Sequence, residues 1–126
     1  MPFPPLTRKS YIGVTVTLTL ANTKYNLLTL INNVLAAQTP QSDCPASCRE
    51  LNLQSQSPAV TGGNAANTDV IIVGDSLLTL TNYAFVLAVG ASRTYRSSST
   101  SSVQVGSLFV ESPTAGQKLN VEIEMA

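Results

Sequence analysis

The side chains that could do chemistry in this sequence are carboxylates and two cysteines, because the chain contains no histidine. Without histidine it lacks the usual general base for a Ser or Cys nucleophile and the commonest metal ligand. A pair of carboxylates remains as the one familiar catalytic arrangement, since a glycosidase needs two of them about 5 to 9 Å apart across a sugar cleft. The acids of the second half of the chain are Asp69, Asp75, Glu111, Glu122 and Glu124.

Glu122 and Glu124 form the most suggestive pair, because strand geometry places residues two apart on one face at about 7 Å. They alternate with Val121, Ile123 and Met125. This alternation is typical of a strand with one buried and one solvated face, so it already explains the two acids as an outward polar surface. Tryptophan, a frequent platform for sugars, is absent. We therefore expect no catalytic residue and no enzymatic activity.

Asp75 follows Gly74 at the end of an apolar run. A hard-cation site needs several oxygen ligands, and only Asp69 is near in sequence. A tight turn in which the Asp75 carboxylate accepts backbone amides explains this position better. The sequence thus predicts neither a metal ion nor a cofactor. Arg93 and Tyr95 fall on the same face of a predicted strand, where the arginine is either a solvated edge charge or an anchor for a partner carboxylate.

Cys44 and Cys48 are the only cysteines, separated by Pro-Ala-Ser. They cannot complete a zinc site from this chain alone. Two interpretations stay open: a pair of reduced loop residues, which the cytoplasm favours, or a local disulfide that forms after release from the cell. Such a disulfide would close a very small loop and contribute little stability through chain entropy.

The charge composition argues against nucleic acid and membranes as partners. Seven cationic side chains balance seven anionic ones, the charged fraction is only 11%, and the cations are scattered. Binding a phosphate backbone needs clustered Lys and Arg, and the longest apolar run is far short of the roughly 20 residues of a membrane span. The amino terminus also lacks the apolar centre of a secretory signal, so we expect a soluble protein made in the cytoplasm. Low charge further indicates a surface covered by neighbours or wetted by neutral polar residues.

Residues 1–9 contain three prolines and no periodicity, which predicts an extended arm in front of a single domain at residues 10–126. Proline removes amide donors and fixes φ near −65°, and this suits a strap lying on another surface better than a strand. A frayed terminus is the alternative. The residues of this arm that we expect to contact a partner are Pro2, Phe3, Pro4, Pro5, Arg8 and Lys9.

The rest of the chain predicts an all-β domain with one short helix. Strict alternation marks a strand over 11–20, and a stretch within Thr23–Ala37 has helical spacing after a capping Asn22-Thr23. Seven inward positions define the predicted core: Val14, Val16, Leu18, Ile72, Val110, Val121 and Ile123.

Further short strands, separated by turn residues, are predicted from residue 49 onward. Eight or nine such strands indicate a sandwich, jelly roll or small barrel. They fall at 49–55, 69–73, 77–81, 84–87, 92–97, 102–105, 107–111 and 119–125.

The motifs of residues 49–125 resemble those of small structural proteins of tailed bacteriophage virions, of the capsid cement, decoration or head-fibre type. The resemblance is carried by Leu51-Asn-Leu-Gln54, Asn67-Thr-Asp-Val-Ile-Ile-Val-Gly-Asp75, Leu87-Ala-Val-Gly90, Ser107-Leu-Phe-Val110 and Leu119-Asn-Val-Glu-Ile123. It implies a protein that binds the outer surface of an icosahedral head, bridges capsomers and stabilises the shell. The implied partners are the major capsid protein and copies of the chain itself, as a dimer or trimer on the virion.

Three alternatives remain: a tail or baseplate component, a carbohydrate-binding β module, and a lyase or hydrolase. Exposed aromatic residues around a groove would favour carbohydrate binding, whereas a broad apolar patch beside a Pro-rich arm would favour capsid cement.

Overall fold

The computed structural model describes residues 10–38, 43–57 and 61–125. The predicted arm at 1–9 lies outside these ranges, so its partner contacts stay a prediction. In the described part the chain forms ten strands, one α-helix and one 3₁₀ turn at Val105–Ser107. In chain order they are β1 (Ser10–Leu18), β2 (Tyr25–Asn26), α1 (Leu27–Gln38), β3 (Ser47–Cys48), β4 (Glu50–Ser55), β5 (Ile71–Gly74), β6 (Phe85–Leu87), β7 (Ser92–Arg96), β8 (Val103–Gln104), β9 (Phe109–Glu111) and β10 (Gln117–Met125).

All strand pairs are antiparallel and group into two four-stranded sheets and one small pair. The first sheet has the order β1-β10-β4-β7, the second β2-β9-β5-β6, and β3 pairs with β8. The long strands β1 and β10 pair from Ser10 opposite Met125 to Leu18 opposite Gln117. The all-β prediction with one short helix is therefore confirmed.

One apolar core joins the two sheets and the helix. Alternation along β1 and β10 points every second residue inward, and the second sheet contributes Ile71, Val73, Leu87 and Val110 from the opposite side. The sheets therefore pack as a sandwich. All seven predicted core residues are buried, and six of them belong to this core: Val14, Val16, Leu18, Val110, Val121 and Ile123. Ile72 alternates with the inward Ile71 and Val73, so it is buried on the outer face of the second sheet, and its prediction as an inward residue was wrong.

The helix closes one lateral side of the sandwich, where it packs against β1 and β2. It buries Leu27, Ile31 and Leu35, which recur every four residues along one stripe. Its start differs from the prediction. Asn26 caps it by accepting the Thr29 amide at 3.1 Å through Oδ1, so the helix begins four residues after the predicted capping pair at 22–23.

Two features of the strand prediction are wrong. The segment predicted as a strand at 77–81 is a turn, because the buried Leu78 folds back over Gly74 and the Leu78 amide donates to the Asp75 carbonyl. The two-residue strands β2 and β3 were not predicted, since so short a run carries no periodicity.

The lateral side opposite the helix is open in the described part of the chain. There β6 and β7 are the edge strands of the two sheets, each paired on one side only. A tight connection links them through Gly90, which has φ +82° and donates its amide to the Ser55 carbonyl at 3.1 Å. The sandwich thus has a closed helical edge and an open strand edge.

Candidate functional site

The five candidate acids do not converge on one site. Asp75 makes the predicted turn by accepting the Leu77 amide at 2.8 Å. Glu111 lies buried on β9, away from the face that carries Glu122. Glu122 is exposed on the outer face of the first sheet, as expected. Glu124 shares that face but is only 7% exposed, so the expectation of a solvated carboxylate there was wrong.

Asp69 belongs to a structural network around the motif Asn67-Thr68-Asp69. Its carboxylate accepts the Thr114 hydroxyl at 2.6 Å and the Val70 amide at 2.7 Å. These hydrogen bonds, the one from Thr114 first, hold the pKa of Asp69 below its ordinary value. The Gln117 side chain accepts the amides of Thr68 and Asp69 at 2.8 and 3.0 Å. The motif therefore joins the start of the second sheet to β10.

Asn67 completes this junction by acting as an additional peptide group beside β10. Its side chain accepts the Lys118 amide and donates to the Lys118 carbonyl, both at 2.7 Å. It also donates to the Ser55 hydroxyl at 2.8 Å. Since β4 ends at Ser55, the Asn67 amide satisfies the backbone groups of β10 just beyond that end.

Cys44 and Cys48 are buried free thiols. Burial first, then the neighbouring Cys48 and Asp43, raises the pKa of Cys44 to about 11. The Cys44 backbone is tied to the helix, because its amide donates to Asn32 Oδ1 at 2.7 Å. A neutral thiol is a poor nucleophile and a poor metal ligand, so the geometry gives Cys44 a packing role in this state.

Arg93 stacks on two aromatic rings at the open edge. Its guanidinium makes no ion pair within the described residues. It shares the inward side of β7 with Tyr95, as predicted, and its guanidinium lies 4.5 Å from the Phe85 ring centroid and 5.3 Å from that of Tyr95. The two rings, one from each sheet, are 6.0 Å apart. Burial raises the pKa of Tyr95, with Arg93 opposing the shift. Arg93 therefore caps the gap between the sheets at the open edge.

Five exposed apolar side chains lie between residues 77 and 89, in the segment that crosses the outer face of the second sheet and in the edge strand that follows it. Val86 alternates with inward Phe85 and Leu87 and so points to that outer face at the edge strand. The preceding segment crosses the same face, because a Cβ on Gly74 would come within 3.0 Å of Leu78 Cδ1. We call this cluster the apolar patch; its members and exposed fractions are Leu77 70%, Leu80 42%, Tyr83 47%, Val86 42% and Val89 41%.

The opposite face of the molecule, outside the first sheet, carries a polar groove of about 880 Å³. All four strands of that sheet line it, with Gln38 at the helix end and Asn64 in a loop as further contributors. Its polar lining residues, which define the polar groove below, are Thr15, Thr17, Asn52, Gln54, Ser92, Thr94, Lys118, Asn120 and Glu122.

The described residues contain no group of three or more His, Cys, Asp or Glu side chains placed to hold a metal ion. The same ranges hold no helix that combines the length and the apolar character of a membrane span.

No protein-family model matches the chain, and no curated protein matches it significantly.

Sequence reasoning missed both surfaces as units. The apolar patch is hidden in the sequence because the alternation Leu78-Thr79-Leu80-Thr81 predicts a strand. The apolar run Leu77-Leu78-Thr79-Leu80 after the turn at Gly74-Asp75-Ser76 was its available signal. The polar groove had no local signal, because its residues come from strands that are distant in sequence.

Proposed function

We propose that the chain is a non-catalytic structural protein of a tailed-bacteriophage virion, which binds the outer surface of the head and stabilises it. The observation that carries this proposal is the apolar patch. Exposed apolar clusters on a compact domain mark surfaces that associate with other proteins. The motif resemblance at residues 49–125 supplies the kind of partner, the major capsid protein.

The position of the patch suits protein docking. It adjoins β6, an edge strand whose outer backbone groups pair with no strand in the described residues. An edge strand offers donors and acceptors to a partner chain, while the neighbouring apolar side chains supply the hydrophobic contribution. Burying one Val or Leu side chain fully is worth about 1.5 to 3 kcal/mol, so a few such contacts repeated over many copies suffice for stable decoration.

The lack of charge in the apolar patch supports a surface that is covered by another protein in the assembled particle. Residues 77–89 contain no charged side chain, and Asp75, which lies just before them, is tied into its turn by the Leu77 amide. Arg93 lies next to the patch at the open edge, held in place by Phe85 and Tyr95. A guanidinium held this way is suited to a carboxylate of the capsid subunit at the border of the contact.

A binding experiment tests the proposal. Head particles assembled without the protein are mixed with purified wild-type or variant chain and sedimented, and bound copies are counted. Wild type should saturate at a copy number set by the head symmetry. V86K should bind at least about tenfold more weakly, because an edge-strand lysine disfavours both burial and strand pairing. The matched control Y11K alters an exposed aromatic residue on the opposite face and should bind like wild type.

Two results would overturn the proposal. Binding of V86K at the wild-type level would remove the patch from the contact. Sedimentation velocity gives the second result. If V86K converts a dimer or trimer to a monomer while particle binding stays intact, the patch is a self-association surface and not the capsid contact.

A further inference from the structure

The polar groove has features of a ligand site that the docking role leaves unused. It lies outside the first sheet, whereas the apolar patch lies outside the second, so the two surfaces face opposite directions across the sandwich core. A molecule docked through the patch would keep the groove turned away from its partner. Its volume of about 880 Å³ falls within the roughly 300 to 1,000 Å³ of small-ligand sites.

The floor of the groove is a ladder of amides and hydroxyls that hold one another in place. Thr15 Oγ1 donates to Asn120 Oδ1 at 2.7 Å, and Asn120 Nδ2 donates to Gln56 Oε1 at 2.7 Å. In the next row Thr94 Oγ1 donates to Asn52 Oδ1 at 2.6 Å, and Asn52 Nδ2 donates to Glu122 Oε1 at 3.3 Å. The first row therefore runs from β1 across β10 to the residue after β4, and the second row runs from β7 across β4 to β10.

These internal bonds fix the side chains without exhausting them. A primary amide carries two N–H donors and two acceptor lone pairs. Asn52 uses one donor and one acceptor in the ladder, so it retains a second donor and a second acceptor site for a ligand. Asn120 also donates to Gln54 Oε1 at 3.3 Å, so it retains an acceptor site on Oδ1. Preorganised side chains lose little entropy when they bind, and this favours a ligand that needs many modest hydrogen bonds.

The electrostatics of the groove favour a neutral ligand. Its two charged side chains have opposite signs, and both take part in local hydrogen bonds. Lys118 Nζ donates to Thr17 Oγ1 at 2.9 Å, and Glu122 accepts from Asn52. An anionic or cationic polymer would find no matching field here.

The groove also has open floor beside an exposed aromatic ring. Gly13 lines it, and a Cβ at Gly13 would meet no atom within 4 Å. Tyr11 stands two residues earlier on the same face of β1, about 7 Å away by strand geometry, and is 58% exposed. A ring next to a row of paired donors and acceptors matches the mixed apolar and hydroxylated surface of a sugar.

We propose that the polar groove binds a neutral oligosaccharide, with Asn52, Asn120 and Glu122 bonding its hydroxyls and Tyr11 stacking on one ring. Four strands at about 4.8 Å spacing span on the order of 14 Å, which suits a short oligosaccharide better than a single sugar. This proposal does not depend on capsid docking, because it uses the other face.

The test is a titration of the ¹⁵N-labelled full chain with cellohexaose, maltohexaose, mannohexaose and chitohexaose, followed by NMR. At least one sugar should shift the side-chain amide signals of Asn52 and Asn120 in a saturable way. Two variants should each weaken that sugar at least about tenfold: G13F, which fills open space without touching the core, and N120A, which removes a ladder amide. V86S, altered on the opposite face, should bind the sugar like wild type.

Several outcomes would overturn the oligosaccharide proposal. One is the absence of saturable shifts in the groove with all four sugars. Another is binding that G13F and N120A leave unchanged in proteins whose spectra remain folded. Tighter binding of a heparin hexasaccharide than of any neutral hexasaccharide would contradict a neutral ligand. None of these results bears on particle binding by V86K, so this proposal and the docking proposal fail separately.

Discussion

Replacing Asn67 with alanine should destabilise the protein without altering its surface faces. Asn67 is 9% exposed, and its side chain makes three hydrogen bonds, two to the Lys118 backbone and one to the Ser55 hydroxyl. After truncation the Lys118 carbonyl keeps a longer bond from the Gln56 amide at 3.3 Å. The Lys118 amide loses its Asn67 acceptor and the Ser55 hydroxyl loses its Asn67 donor.

The magnitude follows from these contacts. A hydrogen bond contributes about 0.5 to 1.5 kcal/mol net, and a buried polar group left without a partner costs about 1 to 3 kcal/mol. Three lost bonds, one of them partly compensated, predict a loss of about 3 kcal/mol in the free energy of unfolding. Because a domain of this size has only about 5 to 15 kcal/mol of stability, the effect is large.

Urea unfolding followed by circular dichroism measures it. N64A serves as the matched control, since Asn64 is an exposed asparagine in the adjacent loop, and it should change stability by less than about 0.5 kcal/mol. A loss below about 0.5 kcal/mol for N67A with an unchanged urea dependence would refute the role given to this junction.

Three further perturbations test the fold and its titrating groups. Ile72→Ala should lower the free energy of unfolding in urea by about 2 to 5 kcal/mol, because Ile72 is only 3% exposed. The exposed control Val86→Ala should lower it far less. Equally small losses for both would show β5 to be misplaced. Because burial keeps its thiol neutral, Cys44 should resist iodoacetamide in the native state near neutral pH. For the same reason the free energy of unfolding should fall as the pH rises from 9.0 to about 11. Fast labelling of native Cys44, read by mass spectrometry, would contradict this. Asp69→Asn should be less stable than wild type above the ordinary carboxyl pKa of 3.8, because the hydrogen bond from Thr114 lowers the pKa of Asp69. This difference should shrink as acid protonates Asp69. A difference in unfolding midpoint that does not depend on pH would count against the role of the carboxylate.

Much of the core was predictable because its signal is local. In β1 and β10 the period of two separates Val14, Val16, Val121 and Ile123 from their polar neighbours, and burial on one face requires that pattern. The stripe within α1 was predictable for the same reason. Its first residue was not, because Asn26, which ends a two-residue strand, also serves as the cap.

The surfaces depend on tertiary contacts that no local pattern encodes. Leu78 is buried only because it folds over Gly74, and this leaves Leu77 and Leu80 exposed. The alternation correctly placed Arg93 and Tyr95 on one side of β7, yet Phe85, which completes the stack, comes from the other sheet. Likewise the ladder of the polar groove requires the strand order β1-β10-β4-β7, which brings Thr15 next to Asn120.

The central proposal, a structural protein that docks on a phage head through its apolar patch, is tested most directly by electron cryomicroscopy of the intact particle. We expect density for the sandwich on the outer surface of the head at symmetric positions, with Leu80, Tyr83 and Val86 against a capsid subunit and the polar groove facing solvent. Density for this chain in the tail, its absence from the particle, or a patch that faces solvent on the assembled head would contradict the proposal.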